Sequence, residues 1–299
     1  MSRILKLPLP PEGTYNYPFD DPSNERQLNF LKHATAISDP KQLKKHLVES
    51  HERIMKFFPY PCIWNFDFAR GLVSHHPIYP EVLSLAKKEV DYQKIFIDFG
   101  ALLAVDVRQV ISNGWKQEDV LAVDIYEEAK KLSCEMFKDV DGPPPYFIGD
   151  IFDSKVFNPA KPEEKIYSKI DLYSLKDLNP LKNRASFISC HYLFHLFGRE
   201  DQERLASYCA MLLSDKAGSS IFGFHRGSQE EGYQSVHYIP GAVWYGHSVG
   251  SWVAMWEDIF EPTKVKIVAD LKESNPATQY EYLHGNKTIL WMTWSVTRL

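Results

Sequence analysis

The stretch KIFIDFGALLAVDVRQVISNG, residues 94–114, decides the fold. It opens with a short β-rich run, KIFIDFG (94–100), that stops at a glycine. A helical segment follows and closes at VRQVISNG (107–114), where Gly114 serves as the C-terminal cap. The same strand–helix rhythm recurs downstream. DVLAVDI (119–125) reads as a second strand and YEEAKKLSCEMFKD (126–139) as its helix. PYFIGDIFD (145–153) holds a third strand, and RASFISCHYLFHLF (184–197) starts with a fourth. REDQERLASYCAMLLSD (199–215) is an amphipathic helix, GSSIFGFH (218–225) a fifth strand, and SVGSWVAMWEDIF (248–260) another helix. Strands alternating with helices predict βαβ units and a mainly parallel sheet. TKVKIVADLKE (263–273) and NKTILWMTWSVTRL (286–299) have no helix between them, which predicts an antiparallel closing pair.

Upstream of this core the organisation differs. Residues 1–24 are rich in Pro, Tyr and Asp, and read as an arm on the surface. Residues 23–85 are mostly helical in pattern, with Asp39 as cap and Pro40 in the first turn of one helix. The division expected is an arm and helical lid over residues 1–90 and a ligand-binding domain over 91–299. The helical part could equally form a homodimer contact.

Composition narrows the function. The 299 residues are 44% hydrophobic, enough for one large core with additions or for two small domains. The net charge of -5 carries no basic excess, so nucleic acid is not an expected partner. An aromatic content of 14% fits a well-filled core or a large apolar substrate pocket. Cys62, Cys134, Cys190 and Cys209 form no CxxC pair and show no zinc spacing, so free thiols are expected. No stretch resembles a signal peptide or a membrane span, which makes the cytoplasm the default and leaves the membrane out as a partner.

In an open parallel sheet, ligands bind beyond the carboxyl ends of the strands. The candidates there are Asp98, Gly100 and Ala101; Asp124, Ile125 and Tyr126; Asp150, Ile151 and Phe152; and Cys190 with His191. A carboxylate at Asp124 can accept both hydroxyls of a ribose, or simply begin the next helix. Asp150 can accept from an adenine amino group, or hold a turn. The first loop, DFGALLAVDVRQ, has one glycine where dinucleotide loops carry two or three, and Leu102 is poorly suited to a left-handed backbone. That argues against a pyrophosphate ligand, and so against a nucleotide-dependent oxidoreductase.

The blocks IFIDFGALLAVDVRQVISNG, LAVDIYEEAKKL, FIGDIFD, ISCHYLFHLFGREDQERLA and HSVGSWVAMWEDI occur in that order, preceded by YPCIWNFDFARGLVSHHPIYPEVL. They resemble a fungal family of class I S-adenosylmethionine-dependent methyltransferases of secondary metabolism, which act on meroterpenoid and polyketide intermediates. The resemblance covers roughly residues 45–270. It implies a Rossmann-like sheet of seven strands with the last antiparallel, plus a helical N-terminal extension. It also implies S-adenosylmethionine as cofactor, with Asp98 and Gly100 under its methionine part, Asp124 and Ile125 at the ribose and adenine, and Asp150, Ile151 and Phe152 at the adenine. Asp106 and Arg108 match the Asp and Arg that follow the family's glycine loop; Ala104 stands where the family usually has glycine.

A small-molecule acceptor is then expected, with a carboxyl or hydroxyl oxygen as the methylated atom. A hydroxyl needs a general base, and His195, His191 and His247 are the candidates. Trp64, Phe66, Trp252 and Trp256 are candidates for an apolar acceptor pocket or for core, and Arg226 for an anchor of an acidic group. The pair His75–His76 has no matching carboxylate pattern, so no metal is expected. The alternative is a protein of this fold that has lost methyl transfer.

Overall fold

The computed structural model describes residues 17–139, 142–163, 168–235, 243–274 and 289–299. Strand β1 (Ile95–Phe99) is buried at every position, as a central parallel strand must be when both faces are covered. β2 (Val120–Asp124) and β4 (Ala185–Ser189) flank it, β3 (Tyr146–Ile148) lies outside β2, and β5 (Ser220–Arg226) outside β4. β6 (Gly232–Ser235) and β7 (Val243–Gly246) form a separate antiparallel hairpin. β8 (Val265–Ser274) and β9 (Ile289–Arg298) complete the main sheet, with β9 inserted between β5 and β8. The order β3-β2-β1-β4-β5-β9-β8 has only its last-formed strand running antiparallel to its neighbours. This is the class I methyltransferase sheet the resemblance implied, and β8 and β9 pair as expected. The hairpin was not foreseen, because GYQS carries almost no apolar alternation.

Register sets the tips side by side. Asp98 is level with Ala122 of β2 and Ser189 of β4, and Asp124 is level with Ile148 of β3. The residues that leave these strands therefore emerge along one edge. Gly223 in β5 is needed there: a Cβ on it would lie 2.3 Å from the Cys190 carbonyl oxygen.

Helices α1 (Glu25–Thr35), α2 (Pro40–Phe57), α3 (Pro61–Trp64) and α4 (Tyr79–Lys87) precede the sheet. α2 starts as predicted, with the Asp39 carboxylate accepting from the Gln42 N–H at 2.8 Å. α5 (Val105–Ser112), α6 (Glu127–Phe137), α7 (Arg199–Leu212) and α8 (Val249–Ile259) pack around the sheet. The surface arm needs correction in its described part, because Phe19 is buried; residues 1–16 lie outside the described residues.

Three apolar clusters hold these layers. Ile95, Ile97 and Phe99 pack with Leu205, Leu212, Trp252, Trp256 and Trp294 on one face of the sheet. Phe96 packs with Val107, Val110 and Val82 on the other. The third cluster joins Leu43, Leu47, Ile54, Trp64 and Phe66 of the N-terminal region to Leu103, Val105, Leu132 and Met136. Each large side chain buried this way contributes about 1.5–3 kcal/mol. The N-terminal helices thus share a core with the loop that follows β1. Among the described residues no helix is long and apolar enough to cross a membrane, and all four cysteines are free thiols.

Candidate active site

The loop after β1 has the backbone of a three-glycine turn with one glycine in it. Gly100, Leu102 and Ala104 all have positive φ, at 72°, 46° and 50°. Leu102 adopts the left-handed conformation that its side chain disfavours, at a cost of about 1 kcal/mol or more for each non-glycine residue. A set of hydrogen bonds holds it there. The Leu102 N–H donates to Asp124 Oδ2 at 2.8 Å, and its carbonyl accepts from the Tyr146 hydroxyl. The Leu103 carbonyl accepts from Ser133 Oγ at 2.7 Å and from Arg108 Nη1 at 3.0 Å, and the Ala104 carbonyl from the same Nη1 at 3.1 Å. Asp139 grips the other side of the Arg108 fork at 2.8 and 2.6 Å. Tyr146, Ser133 and Asp139 escaped sequence reasoning because they converge from separate elements with no common spacing.

Asp124 shapes the turn that leads into α6, whose N-cap residue Tyr126 has no side-chain cap of its own. Its carboxylate is buried at the tip of β2 and accepts from the Leu102 and Tyr126 N–H groups, the latter at 3.0 Å. Burial raises its pKa, against the pull of those donors. Each carboxylate oxygen has lone pairs left for a hydroxyl. Beside it, Ile125 is 46% exposed, an apolar side chain with free surface at the same edge. Tyr126 is half-buried against Phe58, with ring centroids 5.2 Å apart.

The rest of the predicted set divides. Asp150 is exposed and accepts from the Phe152 N–H at 2.9 Å, which is the turn role. Ile151 is buried in the core, while the Phe152 ring lies between Phe197 and the Arg204 guanidinium. Cys190 is fully buried, its thiol pushed up by burial and by Cys209, so only its backbone reaches the edge. Ala101 is half-buried and donates its N–H to the Val123 carbonyl at 3.1 Å. Asp98 is buried and accepts from Ser189 Oγ at 2.6 Å; burial and the neighbouring Asp106 hold its pKa well above the ordinary value.

Asp106 joins Asp98 and His191 in a group whose donor atoms all lie within 4.8 Å of one another. Sequence reasoning expected no metal, yet these donors have the chemistry to hold a cation. Asp106 accepts from the Val73 N–H at 3.1 Å and pairs with His191 Nδ1 at 2.9 Å. A carboxylate only accepts, so Nδ1 carries a proton, and in the neutral imidazole form Nε2 presents a lone pair. That Nε2 is buried and has no partner among the described residues.

His195 and His247 were the other candidate bases. His195 Nδ1 is buried without a partner among the described residues. Burial, then the charge of Arg226, lowers its pKa to about 3. His247 has Nδ1 on Ser251 Oγ at 2.9 Å and its ring against Tyr245 and Trp252. His225 was overlooked: its Nδ1 accepts from Trp294 Nε1 at 2.9 Å and its Nε2 is buried without a partner among the described residues.

The aromatic pocket read from the sequence is core. Trp64 and Phe66 are buried under the N-terminal helices, and Trp252 and Trp256 are fully buried between α8 and the sheet. Arg226 stacks its guanidinium 4.4 Å above the Trp244 ring.

The strand order and the loop after β1 are those of the class I S-adenosylmethionine-dependent methyltransferase fold. Residues 15–69 match the family described as meroterpenoid methyltransferase N-terminal domain. The chain is 23% identical over 252 residues to the O-methyltransferase atr3 of Stereocaulon alpinum, spanning 83% of this chain and 66% of that one. It is 25% identical over 257 residues to the methyltransferase adrK of Penicillium roqueforti, covering 85% and 83%. To the asnovolin E/chermesin D methyltransferase nvfJ of Aspergillus novofumigatus it is 23% identical over 247 residues, covering 83% and 80%. Its sequence relatives are thus methyltransferases of fungal secondary metabolism, as the order of its motifs indicated.

Proposed function

We propose that this chain transfers a methyl group from S-adenosylmethionine to an oxygen of a small, largely apolar natural product. The observation that carries this is the shared edge formed by Asp98, the left-handed loop, Asp124 and exposed Ile125. Asp124 would accept the ribose hydroxyls, Ile125 would cover the adenine, and the carboxylates of Asp98 and Asp106 suit the cationic methionine end. S-adenosylmethionine supplies a methyl carbon on a positively charged sulfur, which an oxygen nucleophile displaces in line. The chain's part is to bring acceptor and methyl to near contact in line, which accounts for most of the acceleration such reactions need. For a hydroxyl acceptor, His191 Nε2 takes the proton as the O–C bond forms, and Asp106 stabilises the imidazolium. A carboxylate acceptor needs no base, and His191 then only orients it.

Calorimetric titration with S-adenosylmethionine and S-adenosylhomocysteine tests the reading. Micromolar binding is expected, weakened at least tenfold in Asp124→Ala; no binding at millimolar cofactor would favour a protein that has lost methyl transfer. A mass-spectrometric screen of phenols and acids then separates the acceptors. In His191→Ala, turnover of a phenol is expected to fall by about 10²–10⁴, the usual worth of a general base. Turnover of a carboxylate should fall far less. An unchanged phenol rate would remove His191 from the mechanism.

A further inference from the structure

The core position of Trp64, Phe66, Trp252 and Trp256 leaves the acceptor without a site, and the structure offers another. A cavity of about 580 Å³ opens on the face of the β5–β9–β8 half of the sheet. Its walls, among the described residues, include Tyr192, Phe224, Trp291, Thr293 and His76. That volume lies within the usual range for a drug-sized ligand.

Two observations tie the groove to the reacting centre. Tyr192, the residue after His191, has φ +54°, a strained conformation for an aromatic residue. Its ring packs 5.1 Å from Phe224 and 4.9 Å from Trp291, so the strained turn is spent on building an aromatic wall. The groove also lies between two of the three candidate bases. The Phe224 ring is 4.5 Å from His191, and the Trp291 ring is 6.3 Å from His195. Charges at the rim are matched internally: Lys272 meets Asp270 at 3.0 Å, and Arg70 meets Asp67 at 3.3 Å. The groove therefore has aromatic walls and nearly balanced charge.

We infer that this groove binds the methyl acceptor, and that the acceptor is a flat, ring-bearing, largely apolar molecule. Its rings lie against Tyr192, Phe224 and Trp291, with the reacting oxygen at the His191 end. The inference rests on the proposed methyltransferase activity and adds the place and shape of its second substrate. It also gives the segment carrying His76 a role as one wall of that site.

The test uses 6-hydroxy-2-naphthoic acid, a fluorescent two-ring molecule with both kinds of acceptor oxygen, added to protein saturated with S-adenosylhomocysteine. Saturable binding below millimolar concentration is expected. Thr293→Trp fills the groove floor from a half-buried position in β9, a strand that already carries aromatic residues at Trp291 and Trp294. It should weaken the probe at least tenfold and leave S-adenosylhomocysteine affinity within twofold. Tyr192→Ala should weaken the probe similarly. Equal probe affinity in wild type and Thr293→Trp overturns the assignment, as does absence of probe binding in protein that binds S-adenosylhomocysteine. Failure to bind S-adenosylhomocysteine itself would overturn the underlying activity instead, so the two failures are told apart in one experiment.

Discussion

Alanine at Arg108 is expected to lower stability by about 3–5 kcal/mol and to weaken S-adenosylhomocysteine binding by more than tenfold. The first figure follows from removing one partner of a buried, bidentate ion pair, which strands the other. Arg108 is 6% exposed, and its fork spans Asp139, Ser133 and the carbonyls of Leu103 and Ala104. Without it, Asp139 loses its counter-charge and two loop carbonyls lose a donor. The second figure follows from the loop. Leu102 and Ala104 hold positive φ only because surrounding bonds impose it, so losing those bonds frees the loop to relax away from a cofactor-competent shape. Denaturant unfolding and calorimetry measure the two effects. Arg108→Lys keeps the charge but cannot span the fork, and should recover stability more than affinity. If Arg108→Ala folds and binds S-adenosylhomocysteine like the wild type, the clamp does not shape the loop.

Mild acid should destabilise the protein. Burial, foremost, holds His51 and His247 at about 4, and His76 and His195 at about 3. In the unfolded chain the same imidazoles take up protons near 6.5. Between those values the unfolded state binds more protons, so stability is full above about pH 6.5 and declines as pH falls toward 4. Each histidine contributes up to about 1.4 kcal/mol per pH unit in that window. Asp98 and Asp124 act in the opposite sense, since their raised pKa values make the folded state the better proton acceptor as pH falls. The histidines therefore lose stability as pH falls and the two carboxylates offset part of that loss, against a total stability of about 5–15 kcal/mol for a typical domain. A clear loss of stability is therefore expected between about pH 6.5 and pH 5. Stability measured by urea at pH 7, 6 and 5 checks it, and a flat profile over that range would refute the burial of neutral histidines.

The sheet was legible because its strands announce themselves. IFIDF, VLAVD and ASFIS are unbroken apolar or β-prone runs ending at acidic, serine or glycine residues, and parallel topology follows from the helices between them. Asp98 and Asp124 were legible because strand ends can be located from sequence. What converges from different elements was not. The bonds from Tyr146, Ser133 and Arg108 to one loop, and from Val73 to Asp106, depend on packing that no local spacing encodes. For the same reason the aromatic residues left pocket and core open. Trp252 and Trp256, four apart on α8, look identical in sequence whether they face a ligand or a core, and here they face the core. The loop is the instructive middle case: its single glycine was legible, but the bonds that compensate for Leu102 and Ala104 were not.

The Val73 N–H on Asp106 alters how the two parts of the chain should be regarded. Excising the first ninety or so residues would not release a smaller working enzyme. It would take from the Asp106 carboxylate one of the two partners that position it beside His191, in a scaffold that had also lost one wall of its aromatic groove. The leading residues share both a core and a hydrogen bond with the sheet domain, so a version cut just before the first strand is expected to lose stability.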